Sequence, residues 1–314
     1  MKLSVIVPVY NAESTLEKCL DSLFDQSVEE MEIIAINDGS KDSSGEILKQ
    51  YQARTGKNGG KMLRVLTVEN GGQGRARNFG LDIADGDYIG FTDSDDWADP
   101  EMFRKLIETA EREQADLTIC DALGHFPDGS TEPERLWREN RLMGAVGFPN
   151  NKLLRRDLAD GLRFPEDRLW YEDLEFTARA IHRAEKVVHL PEMLYHYRRG
   201  FPSTMHNNNA KKNLDLLTVM QNLEDELLPE AKEDFDFLVL NHVLLDGIKR
   251  VQAMDAPEKR DVIWLMRAYV HEKIPHLSAS RSFREESRGR RIVMRLNAMG
   301  LQDAAAALLK AHAG

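Results

Sequence analysis

Leu3 to Val9 is a run dominated by β-branched residues, as expected of a strand buried on both faces. A helical pattern follows at Leu16, Leu20, Leu23 and Phe24, opened by the capping-box spacing Ser14-x-x-Glu17. The pair then repeats. Glu32 to Ile36 reads as a second strand, before Ser43-x-x-Glu46 and a helix bearing Ile47, Leu48 and Tyr51. Val65 to Val68 reads as a third, before a helix carrying Ala76, Phe79, Gly80 and Ile83. Tyr88 to Thr92 reads as a fourth, and Asp99-Pro100 supplies an N-cap and first position for a helix with Phe103, Leu106, Ile107 and Ala110. Leu117 to Cys120 reads as a fifth strand. Strands alternating with helices in this way predict parallel βαβ units and an α/β sheet.

Such sheets bind ligands beyond the C-terminal ends of their strands. Three polar segments fall there: Val9-Tyr10-Asn11, Asn37-Asp38-Gly39-Ser40, and Asp93-Ser94-Asp95-Asp96. They are expected to converge. Pro8 belongs near the end of its strand, because a proline within a sheet removes a ladder bond. From about residue 144 to 203 the pattern is mixed, and from about 206 it turns helical and rich in Leu, Glu, Lys and Ala.

The 314 residues suffice for one large domain or two, and a formal net charge of -11 argues against a nucleic-acid binder. Cys19 and Cys120 sit singly in apolar patterns and read as small core residues, which suits a reducing compartment. No secretory signal is visible, and no apolar stretch approaches the roughly 20 residues of a membrane helix. A cytoplasmic location is the expectation.

Three aspartates within four residues repel one another. They form either a solvated turn or hard oxygen ligands for Mg²⁺ or Mn²⁺, and delivery by an apolar strand to the ligand edge favours the second reading. Asp38 is either part of a good turn or a contact to a nucleoside. Arg75 and Arg77 follow a glycine-rich turn that matches neither the dinucleotide fingerprint nor a P-loop; they read as surface ion pairs or as contacts to a diphosphate. Glu172 and Asp173 open a helical pattern. There they either favour the helix N-terminus electrostatically or supply a general base, and both readings stand. Tyr195-His196-Tyr197-Arg198-Arg199, with Ser203 and His206, gathers donors and metal-ligand types suited to a diphosphate.

The ordered series Val5-Ile6-Val7-Pro8-Val9-Tyr10-Asn11, Asn37-Asp38-Gly39-Ser40-Lys41-Asp42, Ala76-Arg77-Asn78-x-Gly80, Asp93-Ser94-Asp95-Asp96 and Glu172-Asp173 resembles the inverting family 2 glycosyltransferases of the bacterial polysaccharide type. The resemblance covers roughly residues 1 to 206. It implies a GT-A fold, a Rossmann-like, mostly parallel sheet flanked by helices. The catalytic domain would span 1–206, with a nucleotide-binding half at 1–120 and an acceptor and catalytic half at 121–206. A helical C-terminal region would span 207–314.

By this resemblance Pro8, Tyr10, Asn11, Asp38, Arg77, Asp93, Ser94, Arg198, Arg199 and Ser203 would bind the nucleotide-sugar. Asp95 and His206 would hold Mn²⁺ or Mg²⁺, and Asp173, with Glu172, would serve catalysis. Asn37 departs from the pattern, since an acid is frequent there. The implied reaction moves a sugar, by default from a UDP-sugar, to a glycan or lipid-linked saccharide.

Two other expectations are carried forward. Six arginines between 281 and 295, mixed with apolar residues, form either a solvated helix face, which is favoured slightly, or a peripheral contact of 281–296 with anionic lipid at the inner membrane face. Leu214 to Leu228 and Phe237 to Ile248 offer apolar helix faces for the core or for a homodimer. The rival functions are a non-catalytic nucleotide-sugar-binding assembly subunit and a haloacid-dehalogenase-type phosphatase. In the latter the Asp-x-Asp usually follows the first strand rather than the fourth.

Overall fold

The computed structural model describes residues 2–53, 55, 61–134, 142–145, 147–201, 209–228 and 230–311. The chain divides into two compact units, Met1–Arg168 with Glu172–Pro202, and Leu169–Tyr171 with Ser203–Gly314.

Unit 1 is built on a nine-stranded sheet. Its strands are β1 Leu3–Val9, β2 Met31–Asp38, β3 Lys61–Val68, β4 Tyr88–Phe91, β5 Trp97–Ala98, β6 Leu117–His125, β7 Thr131–Glu134, β8 Lys152–Arg155 and β9 Val187–Arg198. Its helices are α1 Leu16–Phe24, α2 Ser44–Gln52, α3 Gln73–Ile83, α4 Met102–Glu113, α5 Arg156–Asp160 and α6 Glu172–Arg183. The sheet order is β3-β2-β1-β4-β8-β6-β9-β5, with β7 on β6. The first four strands are parallel, as expected. The rest of the sheet is mixed: β8 runs antiparallel to both β4 and β6, and β9 returns parallel to β6.

Every residue of β1 and β2 is buried, which explains their mostly apolar character; the buried Ser4 donates a hydrogen bond to the buried Glu32 at 2.5 Å. One face carries a core of Val5, Val7, Leu16, Leu20, Leu48, Phe103 and Leu106. On the other face α3 comes close to β1 at Gly80, where a Cβ would lie 2.4 Å from Ile6 Cγ2. The register places Val9 beside Asn37 and ends the β1–β4 pairing at Ile6 and Phe91. All three polar segments therefore leave the sheet from one edge. Pro8 lies beyond the last β4 pair, so its missing N–H breaks no bond to that strand.

The helix starts differ from the capping-box expectation. Neither Ser14 nor Ser43 caps its own helix through its side chain. Instead the two loops cap each other. Asp42 Oδ2 accepts from Glu13 N at 3.0 Å, Glu13 Oε2 from Ser43 N at 3.0 Å, and Ser44 Oγ from Ala12 N at 2.9 Å. Likewise Asp99 receives Glu101 N on its carboxylate at 2.9 Å, while α4 begins at Met102.

Unit 2 is helical. It comprises α7 Asp215–Leu227, α8 Lys232–Leu238, a π-helical stretch Val239–Gly247 running on into α9 Ile248–Ala253, α10 Lys259–Lys273, α11 Arg281–Arg284, α12 Arg288–Ala298 and α13 Gln302–Ala311. Its core buries Leu216, Val219, Leu223, Phe237, Leu240, Leu244 and Ile248. The apolar faces of 214–228 and 237–248 are thus used inside the unit. Among the described residues, no helix is long and apolar enough to cross a membrane.

Candidate active site

The sheet edge gathers the expected loops. Tyr10 is half exposed, and Asn11 takes a left-handed backbone with φ 49°, which asparagine tolerates. Asn11 Oδ1 accepts from Lys41 N at 2.8 Å, and Asn11 N donates to Ser40 Oγ at 3.1 Å. Asp38 is buried. Its Oδ1 accepts from Gly71 N at 2.7 Å and its Oδ2 from Gly72 N at 2.9 Å, so it pins the glycine-rich turn that starts α3. The pattern Asn-Asp-Gly-Ser does not announce this long-range role.

In the acidic cluster, Asp93, Asp95 and Asp96 each bring one oxygen within 4.8 Å of the others. Their surroundings separate them. Asp96 is buried and ties the loop to β9, accepting from Tyr195 Oη at 2.6 Å and from Arg198 N at 2.9 Å. Burial, then the charges of Asp95 and Asp93, push its carboxyl well up. Asp93 Oδ1 accepts from Arg77 Nη2 at 2.7 Å and from Gln73 Nε2 at 2.9 Å. Asp95 is exposed and has no side-chain partner among the described residues. Partial desolvation by the surrounding loop and the Asp93 charge raise its carboxyl above the ordinary range. Ser94 is half-buried between them. Hard oxygen donors with uncompensated negative charge fit a divalent cation, and Asp95 is the carboxylate left free to hold it.

Arg77, expected on the nucleotide-sugar, has a fully buried side chain. It donates through Nη2 to Asp93 and, at 2.6 Å, through Nη1 to Asp173, with Glu172 at 3.9 Å. Its guanidinium also lies over the Phe164 ring, which stacks on Phe176. The neighbouring motif residues act structurally: Asn78 exchanges two 2.9 Å hydrogen bonds with the Phe164 backbone, and Gly80 admits β1.

Asp173 lies in the first turn of α6. Burial pushes its carboxyl up and Arg77 opposes the rise, but that one cation is shared among three carboxylates. The direction is upward, as suits a base working near neutrality. Tyr171, two residues before Asp173, holds a left-handed backbone with φ 71°, a strained state for a bulky residue.

On β9, Arg198 donates its N–H to Asp96, its charge helps hold down the Asp95 carboxyl, and its side chain lies over Phe201. Arg199, expected on the diphosphate, pairs its guanidinium with Glu132, at 3.0 Å, and with Glu134, because β7 sets two carboxylates beside it. Ser203 and His206 lie outside the described residues.

Sequence reasoning missed Gln73 and Lys152, and did not foresee that Tyr195 holds Asp96. Lys152 is fully buried, its Nζ donates to Phe148 O at 2.9 Å and Asn151 Oδ1 at 2.8 Å, and burial pulls its ammonium down to about 7. Its signal was a lysine directly ahead of the apolar pair Leu153-Leu154. An open cavity of about 600 Å³ lies elsewhere, around Tyr88 at the start of β4 and away from the cluster that follows the strand's end.

The resemblance rests on a strand-end acid cluster and a helical acid pair, and sequence comparison decides the matter. Residues 4–165 match the signature of "Glycosyl transferase family 2". The chain belongs to glycosyl transferase family 2. It is 37% identical over 215 residues to the uncharacterized glycosyltransferase EpsJ of Bacillus subtilis (strain 168), across 63% of this chain and 61% of EpsJ. It therefore spans less than two thirds of that relative. It is 32% identical over 262 residues to the putative glycosyltransferase EpsH of the same strain, across 76% of this chain and 74% of EpsH. S. aureus TarS 1-349 in complex with UDP-GlcNAc superposes with a TM-score of 0.75 over 99% of this family 2 chain and 91% of that one, at 21% identity. The likeness is one of fold, and the fold is GT-A. Family 2 membership displaces the phosphatase alternative.

Proposed function

We propose that this family 2 chain is a metal-dependent, inverting glycosyltransferase of the hexosyltransferase type. It moves a sugar from a nucleoside-diphosphate sugar to a glycan or lipid-linked saccharide during cell-surface polysaccharide synthesis in the cytoplasm. A UDP-sugar is the preferred donor class, since TarS, of the same fold, was captured with UDP-GlcNAc. The observation that carries the reading is the buried Arg77 fork, which holds the cluster's Asp93 at 2.7 Å and Asp173 at 2.6 Å. It sets a donor-side acid and a base at one place.

In this reading Tyr10 and the Asn11 loop flank the nucleoside. Asp173 accepts the proton of an acceptor hydroxyl, and that oxygen attacks the anomeric carbon opposite the leaving diphosphate. Configuration inverts. Arg198 offers positive charge to the leaving group. A divalent cation on Asp95 would supply further neutralisation of that charge.

The test is a transfer assay with a panel of nucleotide-sugars, Mn²⁺ or EDTA, and a proven acceptor. Asp173→Asn is expected to lower turnover on the order of a hundredfold or more while donor binding persists. The product should show the anomeric configuration opposite to the donor's. Equal turnover by Asp173→Asn and wild type would remove Asp173 from the role of base.

A further inference from the structure

The basic stretch of unit 2 presents a different face from the one its sequence suggests. Phe283, Val293 and Met294 are buried inside the unit, so the apolar side of α12 is not free for a ligand. Two of the six arginines are balanced: Arg281 pairs with Glu285 at 2.6 Å and Arg290 with Glu286 at 2.7 Å. Arg284 on α11 enters no ion pair among the described residues, and neither do Arg288, Arg291 and Arg295 of α12. The latter three recur every three or four residues along one stripe of α12, which ends at Met299.

α10 completes the surface. Arg267 donates to Ala298 O at 3.0 Å, which joins α10 to the end of α12. Trp264, Arg267 and Ala298 line one open groove of about 330 Å³. Trp264 and Met299 are each 62% exposed, the largest exposures among the large apolar residues described. The acids Asp261 and Glu272 fall toward the Leu265 side of α10 by helical spacing, and Glu272 pairs with Lys273 at 3.1 Å. An exposed tryptophan and methionine beside three unbalanced arginines are thus set into a protein whose net charge is -11.

We infer that this face docks unit 2 on an anionic phospholipid surface, with Trp264 and Met299 entering the interfacial layer and Arg288, Arg291 and Arg295 meeting headgroup phosphates. Charge selects this occupant over a second copy of the chain. A two-fold contact would set the arginine stripe against itself with no acid to answer it. The inference goes beyond the transfer reaction and does not depend on it.

The experiment is flotation of the full chain with vesicles of phosphatidylcholine alone and of phosphatidylcholine mixed with phosphatidylglycerol. Wild type is expected to float with the mixed vesicles only, and less so as salt rises. Each arginine is expected to contribute roughly fivefold to partitioning, so Arg291→Gln/Arg295→Gln should lower it by tens of fold. Trp264→Ser/Met299→Ser, at two side chains each 62% exposed, should also release the protein, and a circular-dichroism melt of each double variant checks that it is folded. Equal recovery on both vesicles, no recovery on either, retention by either double variant, or a dimer that these variants dissociate in place of vesicle binding overturns the inference. Flotation reads no sugar transfer, so its failure is separate from failure of the proposed reaction.

Discussion

Arg77 concentrates the residue-scale argument. A fully buried guanidinium faces Asp93, Asp173 and Glu172. Removing it in Arg77→Met leaves these carboxylates uncompensated, at an expected cost of about 3–5 kcal/mol, read as a lower denaturant midpoint with an unchanged slope. Arg77→Lys keeps the charge and loses the two-pronged fork. It should regain most of the stability yet still show lowered kcat with little change in KM. Full kcat in the lysine variant would reduce Arg77 to a structural cation. A second expectation concerns pH. With Asp173 as the proposed base, its ionised form is the active one and burial lifts its pKa, so activity is expected to rise with pH through that raised value. The acid limb of kcat/KM should lie above the ordinary carboxylate range of about 4. A limb at the ordinary position would show that burial does not tune this base. Sequence pattern found Arg77 and Asp173 separately. It could not pair them, because their meeting depends on the second turn of α3 reaching the first turn of α6.

At the scale of elements, what was legible follows burial. β1, β2 and β4 were read because apolar residues dominate strands covered on both faces. β9 was missed because its residues are mostly half-buried and its polar side chains interrupt the pattern. β8 was missed because it opens on Lys152, a residue that ordinarily marks a surface. The capping boxes were misread for a related reason: local spacing cannot show that Asp42 and Glu13 serve each other's loops. This yields a discriminating pair of variants. Asp42→Ala should cost about 1–2 kcal/mol. Ser14→Ala, at an exposed side chain that caps nothing, should stay within about 0.5 kcal/mol. Thermal or chemical denaturation measures both, and the reverse ranking would restore the local capping box.

For the whole molecule, alternation of strand and helix was enough to read the parallel half of unit 1. The mixed half depends on non-local pairings such as β4–β8 and β6–β9, which carry little local signature. The helical character of the C-terminal region was legible, while the face it offers was not, since charge pattern alone does not tell which arginines are balanced. The two units also shape how ligand linkage is observed. Saturating Mn²⁺ should raise the melting temperature on the order of 5 °C, with EDTA reversing it and Asp95→Asn abolishing it. If the units melt separately, only the transition of unit 1 should move. A shift that survives in Asp95→Asn would place the ion elsewhere.

The Arg77 bridge also bears on the order of synthesis. β1 to β4 and α1 to α3 emerge first and are joined by short connections, so this half can close while the chain is still being made. Until residue 173 follows, its buried guanidinium has Asp93 but neither acid of α6. The nascent half therefore holds this cation already matched by one carboxylate, beside the acids Asp95 and Asp96. Arrival of α6 sets Asp173 and Glu172 on the same guanidinium, so the step that completes the fork also concentrates acid at that edge.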